Sequence, residues 1–396
     1  MLFELLLFMI LGIFLGTFSG LTPGIHINLV GAILISIASL SIFQINPLYL
    51  MVLIVSMAIT HTFVDFIPSI FLGCPDTDTE LSILPGHEML KQGKGYEAIA
   101  LTIYGGLAAT ILLVLISFPS VLIISNLYPL LIKIIAYILI ITSLFLILLE
   151  KNKFSAFLAF SLSGILGLCV FNINLKEPLL PLLTGLFGSS MIITSIKDKV
   201  KIPKQEITLP KITSPRPLFG SLIASLLCGF LPGLGSGQAA ILGTTLAKSN
   251  DKKDFLLLLG ATNILVMGFS FISLYAISKT RTGAAAAVKE VLGELNISFF
   301  ILIIIIILLS GILAFFISMF LAKYFSDKIT KINYSFISKV VLIILIGIVL
   351  LFSGIKGFLV FVVSTLVGIY CISLKIRRTQ MMGCLLLPTI LFYLFN

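Results

Sequence analysis

Two breaks in otherwise apolar sequence share one pattern. The first reads Gly20-Leu21-Thr22-Pro23-Gly24-Ile25-His26-Ile27-Asn28. The second reads Gly229-Phe230-Leu231-Pro232-Gly233-Leu234-Gly235-Ser236-Gly237-Gln238, with Gly, Pro and Gly at the same relative positions. A helix restarting after each break aims free N–H groups and the positive end of its dipole back at it, which favours an anion such as a carboxylate or phosphate. Glycine lets that ligand approach the backbone closely. Thr22, Gly24, His26 and Asn28 at one break, and Gly233, Gly235, Ser236 and Gln238 at the other, are the candidate substrate contacts. The plainer alternative is a kink where helices pack tightly. A matched pair with polar followers favours a site.

Further polar residues fall between the breaks and after the second. His61 and Asp65 are four apart in an apolar run, hence on one helical face. Ionisable groups inside a membrane span are functional candidates for proton or cation coupling, or a hydrogen-bonded structural pair. Asp76, Asp78 and Glu80 with Thr77 and Thr79, in Gly73-Cys74-Pro75-Asp76-Thr77-Asp78-Thr79-Glu80, offer oxygen ligands for a coupling cation if the loop re-enters the membrane, and ordinary turn chemistry if it is solvated. The glycine and distal glutamate of an EF-hand are missing. Arg281, in Lys279-Thr280-Arg281-Thr282-Gly283, could clamp a carboxylate or belong to a plain exposed basic turn. Asn263 is a lone amide in an apolar run, placed to bind substrate or bridge helices.

Enzyme chemistry finds no footing. His87-Glu88 starts like HExxH, but position 91 is Lys, and the chain has only three histidines, His26, His61 and His87. The five cysteines are scattered without a CxxC pair. The second break lacks the lysine of a P-loop, and no G-x-S-x-G elbow occurs. No metal site and no cofactor are expected beyond a coupling Na+ or H+.

The elements that must position these residues are membrane helices. The 396 residues are 59% hydrophobic and 11% charged, and a soluble domain of that composition is not expected. Apolar segments fall at 1–43 (interrupted at Pro23-Gly24), 48–72, 98–118, 130–149, 154–172 and 178–195. After a basic linker come 217–247 (interrupted at Pro232-Gly233), 255–278, 297–322, 340–355, 357–374 and 381–395. The beginning of the chain lacks a basic n-region and reads as a retained span rather than a signal peptide.

If each interrupted segment is a re-entrant hairpin, the linker and the loops at 73–97, 151–153, 248–254, 323–339 and 375–378 share one side. They hold 20 of the 26 Lys and Arg residues, so that side is the cytoplasm and both termini are extracytoplasmic. The net charge of +10 thus reflects membrane orientation; nucleic-acid binding has no support. Each half then makes an odd number of crossings, so the halves are inverted: an all-α polytopic membrane protein with repeats at 1–196 and 217–396 and a basic cytoplasmic linker at 197–216. Two full crossings per interrupted segment would leave this orientation unchanged. Paired broken helices in inverted repeats mark the midplane site of secondary transporters.

At these residues the chain resembles the large permease subunit of the tripartite tricarboxylate transporters, the TctA-like family, in an archaeal-type branch. The paired stretches Gly20–Asn28 and Gly229–Gln238 carry the resemblance. So do Gly73-Cys74-Pro75, Gly86-His87-Glu88-Met89-Leu90-Lys91-Gln92-Gly93 with Ala98 beyond, and Ala261-Thr262-Asn263. The family loop carries a second Pro-Gly where Asp76 follows Pro75 here, and the second-half loop is Lys-Thr-Arg-Thr-Gly. The resemblance therefore implies a permease without fixing a tricarboxylate. It also implies a small membrane subunit and an extracytoplasmic solute-binding protein as partners. The expectation is an ion-coupled permease of the cell membrane for a small organic anion. A carrier flippase for lipid-linked or polyprenyl phosphate and a non-transporting scaffold subunit remain as alternatives.

Overall fold

The computed structural model describes residues 2–22, 46–72, 79–175, 177–198, 202–212, 214–229, 235–248, 251–328 and 334–395. Gly24, His26, Asn28, Asp76, Asp78 and Gly233 lie outside the described residues. Among those described there is no strand, and eight helices are long and apolar enough to cross a membrane. Lipid offers backbone groups no partner, so the chain satisfies them within helices.

The first half runs α1 (Leu2–Leu21), α2 (Pro47–Val64), α3 (Phe66–Leu72), α4 (Ile83–Lys91), α5 (Gly95–Leu131), α6 (Ile135–Leu148), α7 (Lys153–Asn172), α8 (Leu179–Leu183) and α9 (Ser190–Asp198). A π-turn over Thr184–Ser189 joins α8 to α9. The second half runs α10 (Arg216–Cys228), α11 (Ser236–Ala247), α12 (Lys252–Ile277), α13 (Gly283–Leu292), α14 (Ile297–Lys328), α15 (Tyr334–Ser373) and α16 (Gly383–Phe395). Local chemistry sets several starts. Asn46 accepts from Leu48 N at 3.0 Å with Pro47 in the first turn of α2, Asn152 accepts from Ser155 N at 3.1 Å, and Thr282 accepts from Ala285 N at 3.3 Å.

One departure from the expected segments and one agreement with them have physical causes. The run expected at 98–118 continues as one helix to Leu131, through Pro119 and Pro129. A proline removes one backbone bond, which does not end a helix held by its neighbours. Conversely, α15 is broken at Gly354, whose φ of 63° and ψ of −164° are open to glycine alone, so it forms two limbs as the apolar segments 340–355 and 357–374 anticipate.

The burial pattern identifies the centre. The apolar window of Pro47–Leu72 is 100% buried and that of Lys252–Ile277 is 94% buried, whereas that of Leu2–Leu21 is 28% buried. The α2–α3 unit and α12 are therefore enclosed by other helices, which turn their apolar outer faces to lipid. The packing forms two groups, each drawing on both halves. In one, α5 lies on α12, α14 on α2 and α5, α13 on α2, and α1 and α10 on α2 and α12 respectively. In the other, α16 lies on α6 and α7, while α15 covers α8, the π-turn and α9.

Candidate functional site

The two central helices carry the polar residues that stand out in the sequence. Pro68 decides the shape of the first. It has no N–H to offer the Val64 carbonyl, so the helix is interrupted between α2 and α3 and Pro68 falls in the first turn of α3, where the missing donor is harmless. Asp65 occupies the interruption, 4% exposed. From the other half, Asn263 Nδ2 on α12 donates to Asp65 Oδ2 at 3.3 Å and approaches the Thr62 carbonyl at 3.5 Å. Two residues separated by 198 positions thus meet between the halves, in a setting with few alternative partners.

His61, one turn before Asp65, points to α1. Its Nδ1 lies 2.9 Å from Ser19 Oγ, and that hydroxyl donates to the Gly16 carbonyl at 3.2 Å. Directly beyond Ser19, Gly20 packs against α2. A Cβ there would lie 2.9 Å from Val64 Cβ and 3.1 Å from the His61 carbonyl. The end of α1, where the first break begins, is thereby seated beside Asp65. Thr22 closes α1 by donating its hydroxyl to the Phe18 carbonyl at 2.8 Å.

The second break is seated on α12 in the same way. A Cβ on Gly229 would lie 2.6 Å from Phe269 Cβ, and Ser273 Oγ donates to the Gly229 carbonyl at 3.4 Å. Beyond the break, α11 begins at Ser236 with Gly235 as its cap. Glycine has no capping side chain, so Gln238 reaches back and accepts from Gly235 N at 2.7 Å through Oε1. That bond fixes the amide orientation and leaves Nε2 as the donor end. Gln238 is 0% exposed, and its Nε2 has no hydrogen-bond partner among the described residues. Ser236 is likewise fully buried.

Each half also ties the loop after its central helix to a serine of that helix. Ser69 Oγ donates to the Asp65 carbonyl at 2.6 Å, so in its 2.6 Å bond with Thr79 the threonine is the donor. Ser270 Oγ accepts from Arg281 N at 3.2 Å and from Thr282 N at 2.9 Å. Thr79 is fully buried, so the tail of the acidic loop tucks against α3 rather than standing in solvent. Arg281 is held by its backbone one turn of α12 from the seat of Gly229. Asn263 and Ser270 are seven residues apart on α12, on the order of 10 Å along one face. Asn263, which meets Asp65, and Ser270, which holds the Arg281 loop, therefore share one face of α12.

Several contributors were not singled out in the sequence. Ser19, Ser69 and Ser270 look ordinary there, because short hydroxyl side chains are common in apolar helices. Gly12, Gly16 and Gly20, at four-residue spacing, are a visible signal: they let α1 approach α2. On the basic side, Lys252 pairs with Glu88 and Lys253 with Glu97 at 2.5 Å, joining α12 to α4 and α5. Two cations at the positive end of α12 are unfavourable, and these carboxylates with Asp251 offset them. His87, on α4, is held neutral: burial first, then Lys91 and Arg378, push its pKa down to about 4. Among the described residues, no group of three or more His, Cys, Asp or Glu is placed to hold a metal ion.

A multi-pass bundle in which buried polar side chains from the two halves meet on two central helices fits a transport-related membrane protein. The chain belongs to the tripartite tricarboxylate transporter TctA family, whose model matches residues 6–383. It is also similar to an uncharacterized protein of Methanocaldococcus jannaschii, 32% identical over 406 residues that cover 98% of this chain and 99% of that protein. No solved structure matches it.

Proposed function

We propose that this chain is a secondary active transporter that moves a small organic anion, of the carboxylate class, across the cell membrane by alternating access coupled to a Na+ or H+ gradient. One observation carries the reading. The amide Nε2 of fully buried Gln238 stands at the N-terminal turn of α11 with no partner among the described residues. An unmet donor in a buried site is costly. Beside a helix N-terminus it is complementary to an anion. Arg281, on the neighbouring loop, is the candidate counter-charge. Thr22, Gly24, His26, Asn28, Gly233, Gly235, Ser236 and Asn263 complete the proposed binding surface, with Asp76, Asp78, His61 and above all Asp65 as coupling-ion candidates.

The order of elements supports inverted repeats. Each half has a helix before its break, a buried central unit, a short helix of nine or ten residues (α4 or α13) and a long span (α5 or α14). In this reading the termini are extracytoplasmic. By family membership the chain would work with a small membrane subunit and an extracytoplasmic solute-binding protein.

The test is uptake of labelled mono-, di- and tricarboxylates into proteoliposomes under imposed Na+ or pH gradients. One carboxylate class is expected to accumulate and to collapse with the gradient. Gln238→Leu is expected to raise the half-saturation concentration roughly tenfold or more, the cost of one hydrogen bond to a charged group. Asp65→Asn is expected to abolish the response to the gradient while leaving substrate binding. Uptake that ignores both substitutions would refute the site.

A further inference from the structure

The connector between the halves has no regular secondary structure over residues 202–212, with Gln205 buried and most of its neighbours exposed. Its inner side is pinned to the α4–α5 turn. Gln205, buried, accepts from Gly95 N through Oε1 at 2.7 Å and donates through Nε2 to the Leu90 carbonyl at 3.1 Å. Glu206 N donates to the Gly93 carbonyl at 2.7 Å. The connector is therefore a strap at a fixed place on the protein.

Its outer side carries Ile207, Leu209 and Ile212, exposed by 42%, 64% and 48%. Single exposed apolar side chains are ordinary, but three within six residues form a patch. Exposed Lys204 and Lys211 lie on the same stretch, and Arg216 follows at the start of α10. The patch also leads into Phe219, Ile223 and Leu227, which are exposed at four-residue spacing on α10, an apolar helix facing lipid. From 197 to 216 the sequence has six basic and two acidic residues.

We propose that this strap is an interfacial lipid-binding element: Ile207, Leu209 and Ile212 enter the boundary between headgroups and acyl chains, and Lys204, Lys211 and Arg216 bind anionic phospholipid headgroups. Apolar side chains insert at that depth, and basic residues beside them are drawn to anionic lipid. Continuity with the lipid-facing stripe of α10 favours the bilayer over a soluble partner. The pinning by Gln205 presents these side chains without an ordering step on binding.

The chain contains no tryptophan, so a single one reports its own surroundings. Ile207→Trp and Leu209→Trp, made separately, replace exposed side chains, and either alone suffices if the other misfolds. Leu313→Trp on α14 serves as a reference in the lipid-facing region. Each full-length variant is reconstituted into phosphatidylcholine vesicles with or without phosphatidylglycerol. Quenching by lipids brominated near the headgroup is compared with quenching by aqueous acrylamide. Bromolipid is expected to quench both strap tryptophans, more strongly with phosphatidylglycerol, while acrylamide quenches them weakly. Lys204→Gln, Lys211→Gln and Arg216→Gln together are expected to remove the phosphatidylglycerol increment. Free quenching by acrylamide would place the strap in water and overturn the proposal. So would bromolipid quenching that is blind to phosphatidylglycerol, or weak quenching by both agents, which would mean that protein covers the patch.

Discussion

The contact of α5 with α12 is close enough that single methyl groups should be felt. A Cβ on Gly260 would stand 2.6 Å from both the Cα and the carbonyl carbon of Thr102, and one on Gly105 would stand 3.0 Å from the Leu257 carbonyl carbon and 3.1 Å from Ala261 N. Ordinary contact begins near 3.4 Å. These neighbours are backbone, so Gly260→Ala forces the helices apart by roughly 1 Å. In lipid no hydrophobic force holds helices together, and dispersion across the crossing is a main attraction. If roughly 30 atom pairs each lose a third of a well of about 0.15 kcal/mol, the loss is about 1.5 kcal/mol, within the range for overpacked cores. For a chain of this size, at about 2.1 cal/mol/K of unfolding entropy per residue, that is a fall of roughly 2 °C in the unfolding midpoint. Gly105→Ala acts on the same gap, so the second methyl enters space opened by the first. The double variant should therefore fall short of the sum of the singles by about 1 kcal/mol. Unfolding can be followed in detergent with a thiol-reactive dye in a Cys74→Ser background, because among the described cysteines Cys228, Cys371 and Cys384 are buried and exposed Cys169 sets the baseline. Strictly additive shifts, or an unshifted Gly260→Ala, would refute the reasoning.

Three other outcomes follow from the geometry. Pro68→Ala returns an N–H to the Val64 carbonyl, so the same dye assay should show a higher midpoint, while gradient-driven uptake falls as the turn at Asp65 closes. His87, with its pKa lowered to about 4, binds a proton in the unfolded chain before the folded one does. Stability should therefore drop as pH falls from 6.5 through 4, by about 3 kcal/mol over the window, and His87→Gln should flatten that slope in midpoint-against-pH curves. Ser270→Ala removes the acceptor for two backbone N–H groups, so hydrogen exchange at Arg281 and Thr282 should accelerate roughly tenfold, at the cost of about one hydrogen bond.

How far the sequence reaches can be judged residue by residue. The spans and the chain-wide order of elements are legible because the membrane demands long apolar runs, and Gly354 marks its break openly. The end of α5 is not legible, because Pro119 reads as a stop unless the surrounding helices are known. Asp65 stands out as a carboxylate in an apolar run, but the interruption beside it is not read from the sequence, where 48–72 is one unbroken segment. That Asn263 is the residue which meets it depends on a crossing of α2 and α12 that no local pattern encodes. Gln238 is legible only as a polar follower of a break; its spare donor appears when Gly235 N is seen to occupy its oxygen. Gln205 is invisible in a stretch that reads as a plain basic loop.

The crossing of α5 with α12 also sets a timetable for synthesis. Gly105 leaves the ribosome about 150 residues before the helix it must fit, which at 5–20 residues per second is roughly 8–30 s. Through that interval the notch in α5 has only lipid to fill it, and α2 still lacks α14. The first half is thus an unfinished object awaiting its complement, and two separately made halves should accumulate only when produced in the same membrane.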